Sequence, residues 1–188
     1  MANAMASVLG PGVLPLAELC AARLDGELFA VDERFAPVDE PDGVWLRASA
    51  LRALVGQRFI AELDSALWVH GVHSSPPPVH TVCVTRADRI KFPPSPRVVV
   101  REIGHSPGDV EVIAGLRVTT IARVLFDLAF AGGPDVSEVA GRLVSARPDL
   151  VSACVDRLSD APKVPGKTAA LVRLTEWKRS ADATGVPE

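Results

Sequence analysis

The strongest constraint in this chain is a change of period near residue 118. Three β-branched runs, "VHTVCVTR", "RVVVREI" and "DVEVIAG", are separated by the turn-rich segments "DRIKFPPSP" and "GHSPG", the pattern of short strands punctuated by loops. From Val118 onward the apolar positions recur at helical spacing, with Ile121, Val124, Leu125 and Leu128 on one face and Arg123 and Asp127 on the other. Three further helices follow, over "DVSEVAGRLV", "DLVSACVDRLS" and "GKTAALVRLTEWKRS". The fold class expected is α/β (α+β): a small, mostly antiparallel sheet flanked by helices, with a C-terminal helical bundle.

Upstream of the strands, "PLAELCAARL" reads as a helix, "ELFAVD" as a strand and "APVDEPDGV" as a turn. A helix over "LRASALRALV", a short strand "RFIA" and a helix "ELDSALWVHG" come next, the last closed by Gly71 as a C-cap. The expected organisation is a short N-terminal segment, residues 1–43, and a main domain, residues 44–188. The main domain divides into a sheet core over 44–130 and a helical tail over 131–188. Asp135 with Glu138 three residues on has the spacing of a capping box.

A chain of 188 residues with 48% hydrophobic content can bury a substantial core. Its net charge of -3 excludes a globally basic nucleic-acid binder and leaves only local contact with DNA. Arg far outnumbers Lys and Tyr is absent, the bias of a GC-rich bacterial genome. Cys20, Cys83 and Cys154 are odd in number and set among apolar residues, so a reducing, cytoplasmic compartment is expected rather than a disulfide framework. The apolar N-terminus lacks a basic region and is interrupted by Gly10, Pro11 and Pro15, and no stretch approaches the about 20 apolar residues of a membrane span.

Four motifs invite a chemical reading. "GKT" at 166–168 ends like a phosphate-binding loop, but the first glycine of G-x-x-x-x-G-K-[S/T] is replaced by Ala161, and Pro165 lacks an N–H to donate. It reads as a helix start, and no cofactor is expected. His70, His73, His80 and Cys83 supply four zinc-capable ligands, yet residues three apart on a strand face opposite ways and the prolines between the pairs hinder folding back; no metal is expected there. The carboxylates of "DVEV", Asp109 and Glu111, share a strand face as in magnesium-binding transferases, but the upstream Gly-Ser helix is missing, which leaves an exposed face with Val110 and Val112 turned inward. Ser65 lies near His70 in sequence without a nucleophile elbow, so nothing supports a hydrolase.

Trp68, at helical spacing with small and apolar neighbours, is expected in the core, and Arg123 with Asp127 is expected to pair along one helix. These residues also carry a family likeness. "ELDSALWVHGV" at 62–72 and "GDVEVIAGLRVTTIARVLFDLAF" at 108–130 resemble the core of the AbiEi-type antitoxins, particularly the mycobacterial MenA group. Trp68, His70 and Gly71 match the first stretch. Gly115, Leu116, Val118, Thr119, Arg123, Leu125, Asp127, Leu128 and Ala129 match the second.

The resemblance implies a bacterial, actinobacterial antitoxin that is not an enzyme and whose partner is a cognate AbiEii/MenT-like nucleotidyltransferase toxin able to modify tRNA. It further implies a winged helix that binds operon DNA and represses its own operon. Residues 1–43 are too few for a complete one, and "ELFAVDERFAPVD" reads as a remnant wing. Weight therefore falls on direct neutralisation, with Lys167, Arg173, Lys178 and Arg179 of the last helix as candidate toxin contacts.

Overall fold

The computed structural model describes residues 8–85, 93–106, 108–162 and 164–184. It is a mixed α/β structure that divides by Cα packing into two compact units, Met1–Thr119 and Thr120–Glu188. Among the described residues, no helix is long and apolar enough to cross a membrane.

The first unit begins with α1 (Leu16–Leu24) and a hairpin of β1 (Leu28–Val31) and β2 (Arg34–Pro37). The hairpin turns at Asp32, whose φ of 55° lies in the left-handed region that a short Asp side chain tolerates. Helix α2 (Val44–Val55) follows, then β3 (Ile60–Ala61), α3 (Leu63–Val69), β4 (His80–Val84), β5 (Val98–Glu102), β6 (Val110–Ile113) and β7 (Leu116–Thr119). The last five strands form one sheet in the order β5-β4-β3-β7-β6. Its centre is the two-residue β3, where Ile60 and Ala61 are fully buried, and α2 and α3 pack against its strands.

The hairpin β1-β2 and the pairs β3-β4 and β6-β7 are antiparallel. The pairs β3-β7 and β4-β5 are parallel. The neighbouring runs "VHTVCVTR" and "RVVVREI" are thus not a hairpin, because the connection between Val84 and Val98 is long enough for a parallel crossover, which needs a dozen residues or so. The helical period read from Val118 also starts too early: "LRVT" is β7, and the helix begins only after Thr120.

Between β6 and β7 the chain reverses over two residues, Ala114 and Gly115, with φ of 49° and 77°. Two positive φ values in a two-residue loop are the type I′ geometry, whose twist matches that of the flanking strands and which favours Asn-Gly. Ala114 carries a Cβ that disfavours this region. Ala114→Asn is therefore expected to stabilise the fold by about 0.5–1 kcal/mol, read as a rise in thermal midpoint. Gly115→Ala should do the opposite, since its Cβ would also come within 3.3 Å of the Arg52 guanidinium.

The second unit is a bundle of α4 (Ile121–Ala131), α5 (Pro134–Ala146), α6 (Asp149–Asp160) and α7 (Lys167–Thr184). Thr120 caps α4, its hydroxyl accepting from the Arg123 N–H at 3.3 Å. The expected capping box at Asp135 is not formed: Gly133 occupies the N-cap and Pro134 the first helical position, where its missing N–H costs nothing. The core joins Val124, Leu125 and Leu128 of α4 to Leu143 of α5, Leu158 of α6 and Leu174 and Trp177 of α7, all at most 7% exposed.

Candidate functional site

Helix α3 ends in a Schellman motif. The Gly71 N–H donates to Trp68 O at 3.0 Å and the Val72 N–H to Leu67 O at 2.9 Å, while Gly71 takes a φ of 80° that other residues resist. The turn holds His70 so that its Nε2 meets Thr119 O at the end of β7, 2.8 Å away. Thr119 in turn donates its hydroxyl to Ala61 O on β3 at 3.3 Å. Trp68, 2% exposed, packs its ring 5.7 Å from that of His80. The structure therefore brings Trp68, His70, Gly71 and Thr119 together as a brace between α3 and the sheet centre, with Gly115 in the turn that feeds β7.

Arg47 was no more than a helix position in the sequence, yet it completes this brace. Its guanidinium is bidentate to the Asp42 carboxylate, with both contacts at 2.7 Å, and it donates to Trp68 O at 3.1 Å and His73 O at 2.8 Å. It also lies over the Trp68 ring, 5.9 Å from the centroid. The hydrogen bond from Arg47 holds the Asp42 carboxyl below the usual carboxylate range, against the opposing effect of burial.

A Ser-His-Asp array does exist, though not around His70. Ser65 Oγ is 3.0 Å from His80 Nδ1, and His80 Nε2 is 3.1 Å from Asp32 Oδ2, which also binds Arg97 through its other oxygen. Forty-eight residues separate Asp32 from His80, so no local spacing could have signalled it. The array is sealed: Ser65 and His80 are fully buried and Ser65 Oγ accepts from the Thr81 N–H at 2.9 Å. The cavity beside Asp32 measures about 70 Å³, against the about 300–1,000 Å³ of a ligand pocket. Its chemistry is anchorage: it ties the β1-β2 turn to β4.

Burial alone would raise the Asp32 carboxyl, but the His80 hydrogen bond, the charges of His80 and Arg97 and the Glu33 backbone N–H outweigh it and hold the group below its ordinary value. A carboxyl depressed in the folded state contributes stability that is present above its unfolded value of about 3.9 and lost as pH falls through the folded one. The stability gap between wild type and Asp32→Asn is thus expected to be widest near neutral pH and to narrow below about pH 4, as read by thermal unfolding across that range.

The remaining sequence motifs separate. His73 Nε2 lies 3.7 Å from Asp64, and with His70 and His80 engaged as above, the four-residue zinc pattern does not assemble. Cys83 Sγ instead lies 3.0 Å from His105 Nε2. Asp109 precedes β6 and is buried, accepting from the Ser106 N–H at 2.8 Å, whereas Glu111 is exposed. Of Val110 and Val112, both expected inward, Val110 is half-buried and Val112 is 66% exposed, because alternation along β6 puts its buried residue, Ile113, on the opposite face. The three cysteines are free thiols, and burial pushes Cys154 up to about 11.

In the second unit, Arg123 pairs with Asp127 at 2.9 Å along α4 and lies over the Phe126 ring. The basic residues of α7 fall into two classes. Lys167 donates to Ser159 O at 2.9 Å and to Ala161 O, closing the end of α6, and so does not project from the "GKT" turn. Arg173 donates to Ala129 O at 2.6 Å and caps the end of α4, filling the space where a Cβ on Gly132 would stand. Lys178 and Arg179 are exposed, Lys178 meeting Ser152 Oγ at 3.2 Å. Arg179 lines a surface groove of about 320 Å³ with Leu171, Val172 and Thr175.

Comparison with known proteins places this arrangement in a family. The model of the AbiEi antitoxin C-terminal domain matches residues 59–175, more than half of the chain. Among solved structures, the chain is similar to the crystal structure of the RV2827C protein from Mycobacterium tuberculosis, at 18% identity and a TM-score of 0.35, with 86% of this chain and 71% of that one covered. No curated protein matches it. The matched span holds Trp68, His70, Gly71 and Thr119, the β6-β7 turn and the Arg123-Asp127 helix, and the chain belongs to the AbiEi antitoxin family.

Proposed function

We propose that the chain neutralises a nucleotidyltransferase toxin by binding it directly, without being an enzyme itself, through the outer face of α7. Membership of an antitoxin family supports the general role. The observation that carries the mode is the split among the α7 cations: Lys167 and Arg173 are spent on helix ends, while Lys178 and Arg179 stand exposed, Arg179 lining a surface groove with Val172, itself 51% exposed. A mixed basic and apolar face complements a partner whose site binds magnesium and nucleotide phosphates and is therefore acidic. The motif residues Trp68, His70, Gly71, Gly115, Thr119, Arg123 and Asp127 support the scaffold rather than touch the toxin. The setting is cytoplasmic, where tRNA and such a toxin meet.

The test is co-expression with the product of the adjacent gene, followed by pull-down and rescue of growth. A complex stable at micromolar concentrations is expected, and none at that concentration rejects direct neutralisation. Lys178→Glu with Arg179→Glu should weaken it at least about tenfold by placing like charges against an acidic surface. Arg173→Met should instead lower the thermal midpoint, since the end of α4 loses its donor.

Repression of the operon through DNA is the second reading, favoured by one observation: α1 followed by the β1-β2 hairpin has the order of a helix and its wing over residues 1–43. Charge opposes it, for eight acidic residues stand against only Arg23 and Arg34 in that segment. A mobility shift on the upstream DNA at low salt would favour this reading, and no shift would remove it.

A further inference from the structure

Three metal-capable side chains that no sequence spacing groups together converge on one face of the five-stranded sheet, over β3, β4 and β5. One ligand atom from each of Glu62, Cys83 and His105 lies within 4.8 Å of the others. The backbone accounts for the convergence. Beyond β3, Glu62 stays extended with φ -137° and ψ 168°, and its N–H bonds Thr81 O at 3.1 Å, so the chain follows β4 for one residue more. Cys83 pairs with Ile60 across β3 and with Arg101 across β5. A period of two puts Glu62 on the face of Ile60 and hence of Cys83. The segment leaving β5, held by the Ile103 N–H on Val84 O at 3.2 Å, returns His105 to that face.

We propose that Glu62, Cys83 and His105 bind one zinc(II) ion. A thiolate, an imidazole and a carboxylate are all zinc ligands, and in a tetrahedral site with bonds of about 2.0–2.3 Å they stand about 3.3–3.8 Å apart. The cluster reaches that geometry by shifts of about 1 Å or less, the carboxylate moving in and the Cys83-His105 pair, now 3.0 Å apart, opening slightly. Zinc replaces the thiol proton, which leaves to solvent, and the thiolate and carboxylate then balance the charge of the ion.

Burial separates this cluster from ordinary surface acids. Glu62 is 1% exposed and Cys83 fully buried, and a carboxylate out of water is costly unless closely paired. Arg101 reaches Glu62 Oε1 at 3.2 Å, but its own side chain is 45% exposed and free to turn to solvent as the ion takes the carboxylate. His105 is only half-buried, which leaves a way in and a fourth position for water. Such an ion would clip the segment after β5 to the ends of β3 and β4. Of the four residues in the sequence pattern His70, His73, His80 and Cys83, the site uses Cys83 alone.

The experiment uses the full chain with exposed Cys20 changed to serine, stripped with chelator and reloaded with zinc or cobalt(II). The expected result is one zinc per chain retained on dialysis, a raised thermal midpoint, and a cobalt spectrum with a thiolate charge-transfer band and the strong visible bands of tetrahedral coordination. Cys83→Ser should abolish the charge-transfer band, and His105→Ala should weaken zinc at least about tenfold. His73→Ala should change neither. A zinc-to-chain ratio near zero, a cobalt complex without the sulfur band, or affinity unchanged in both ligand variants overturns the proposal. So does loss of binding in His73→Ala. The cobalt spectrum of the Cys20→Ser chain, which keeps all three ligands, requires no ligand variant to fold.

Discussion

Trp68→Ala is expected to remove about 3–5 kcal/mol of stability, out of a total of roughly 5–15 kcal/mol for a domain. The indole is 2% exposed, lies against the His80 ring and is roofed by the Arg47 guanidinium, so truncation costs its transfer free energy and leaves a cavity. That cavity cannot collapse cheaply. His80 is tethered to Ser65 and Asp32, and Arg47 to Asp42, which fixes two of its walls. In urea the midpoint should fall while the slope stays the same, and amides of β4 and β7 should lose most of their exchange protection. Trp68→Phe, which keeps a ring against His80, should cost less than half as much. A loss under about 1 kcal/mol for Trp68→Ala would mean that the indole does not key α3 to the sheet.

What the sequence revealed and what it hid follow from the range of each interaction. Helices α1, α2, α3, α6 and α7 are set by apolar spacing within a dozen residues, and their positions could be read directly. The end of α3 was also local, because Gly71 at C′ is a conformational requirement written in one residue. Strand β7 was missed since "LRVT" has only four residues and its Val118 also fits the helical phase of α4. The signals that separate them are the glycine turn before and the Thr120 cap after. The parallel pairing of β4 with β5 rests on register across a long connection, to which side-chain alternation is blind.

The candidate site was legible in part for the same reason. Trp68 and Gly71 stand out by type and spacing, whereas His70, Gly115 and Thr119 stand out only through the family resemblance. Their partners Asp32 and Arg47 stand out in neither way: an Asp in a hairpin turn and an Arg in an Ala-rich helix look like solvated surface residues until the fold buries them. Cys83 was weighed with the histidines nearest in sequence, whereas strand pairing delivers it to Glu62 and His105. The four α7 cations looked alike in sequence, and only the positions of the α4 and α6 ends tell the caps from the exposed pair.

Arg47→Met is expected to cost about 2–3 kcal/mol, most of it from acceptors left behind rather than from the ion pair. Asp42 is 46% exposed in its side chain and returns to water when the guanidinium is gone, so a screened pair of this kind contributes little. Trp68 O and His73 O are different: they mark the end of α3 and the turn after it, and both lose a donor with Arg47, Trp68 O keeping only the Gly71 N–H in a buried position. Asp42→Asn should therefore cost less than half of what Arg47→Met does, since Arg47 keeps both carbonyls. The Asp42 carboxyl is held low by the Arg47 hydrogen bond, so its contribution is present above about pH 4 and fades below it, and Arg47→Met should flatten that part of the pH profile. The double variant Arg47→Met with Trp68→Ala should be less destabilised than the sum of the two, because the guanidinium and the indole share one contact. Urea unfolding of the four proteins supplies the cycle. Strict additivity would show that Arg47 acts on the α3 carbonyls alone and not through the ring beneath it.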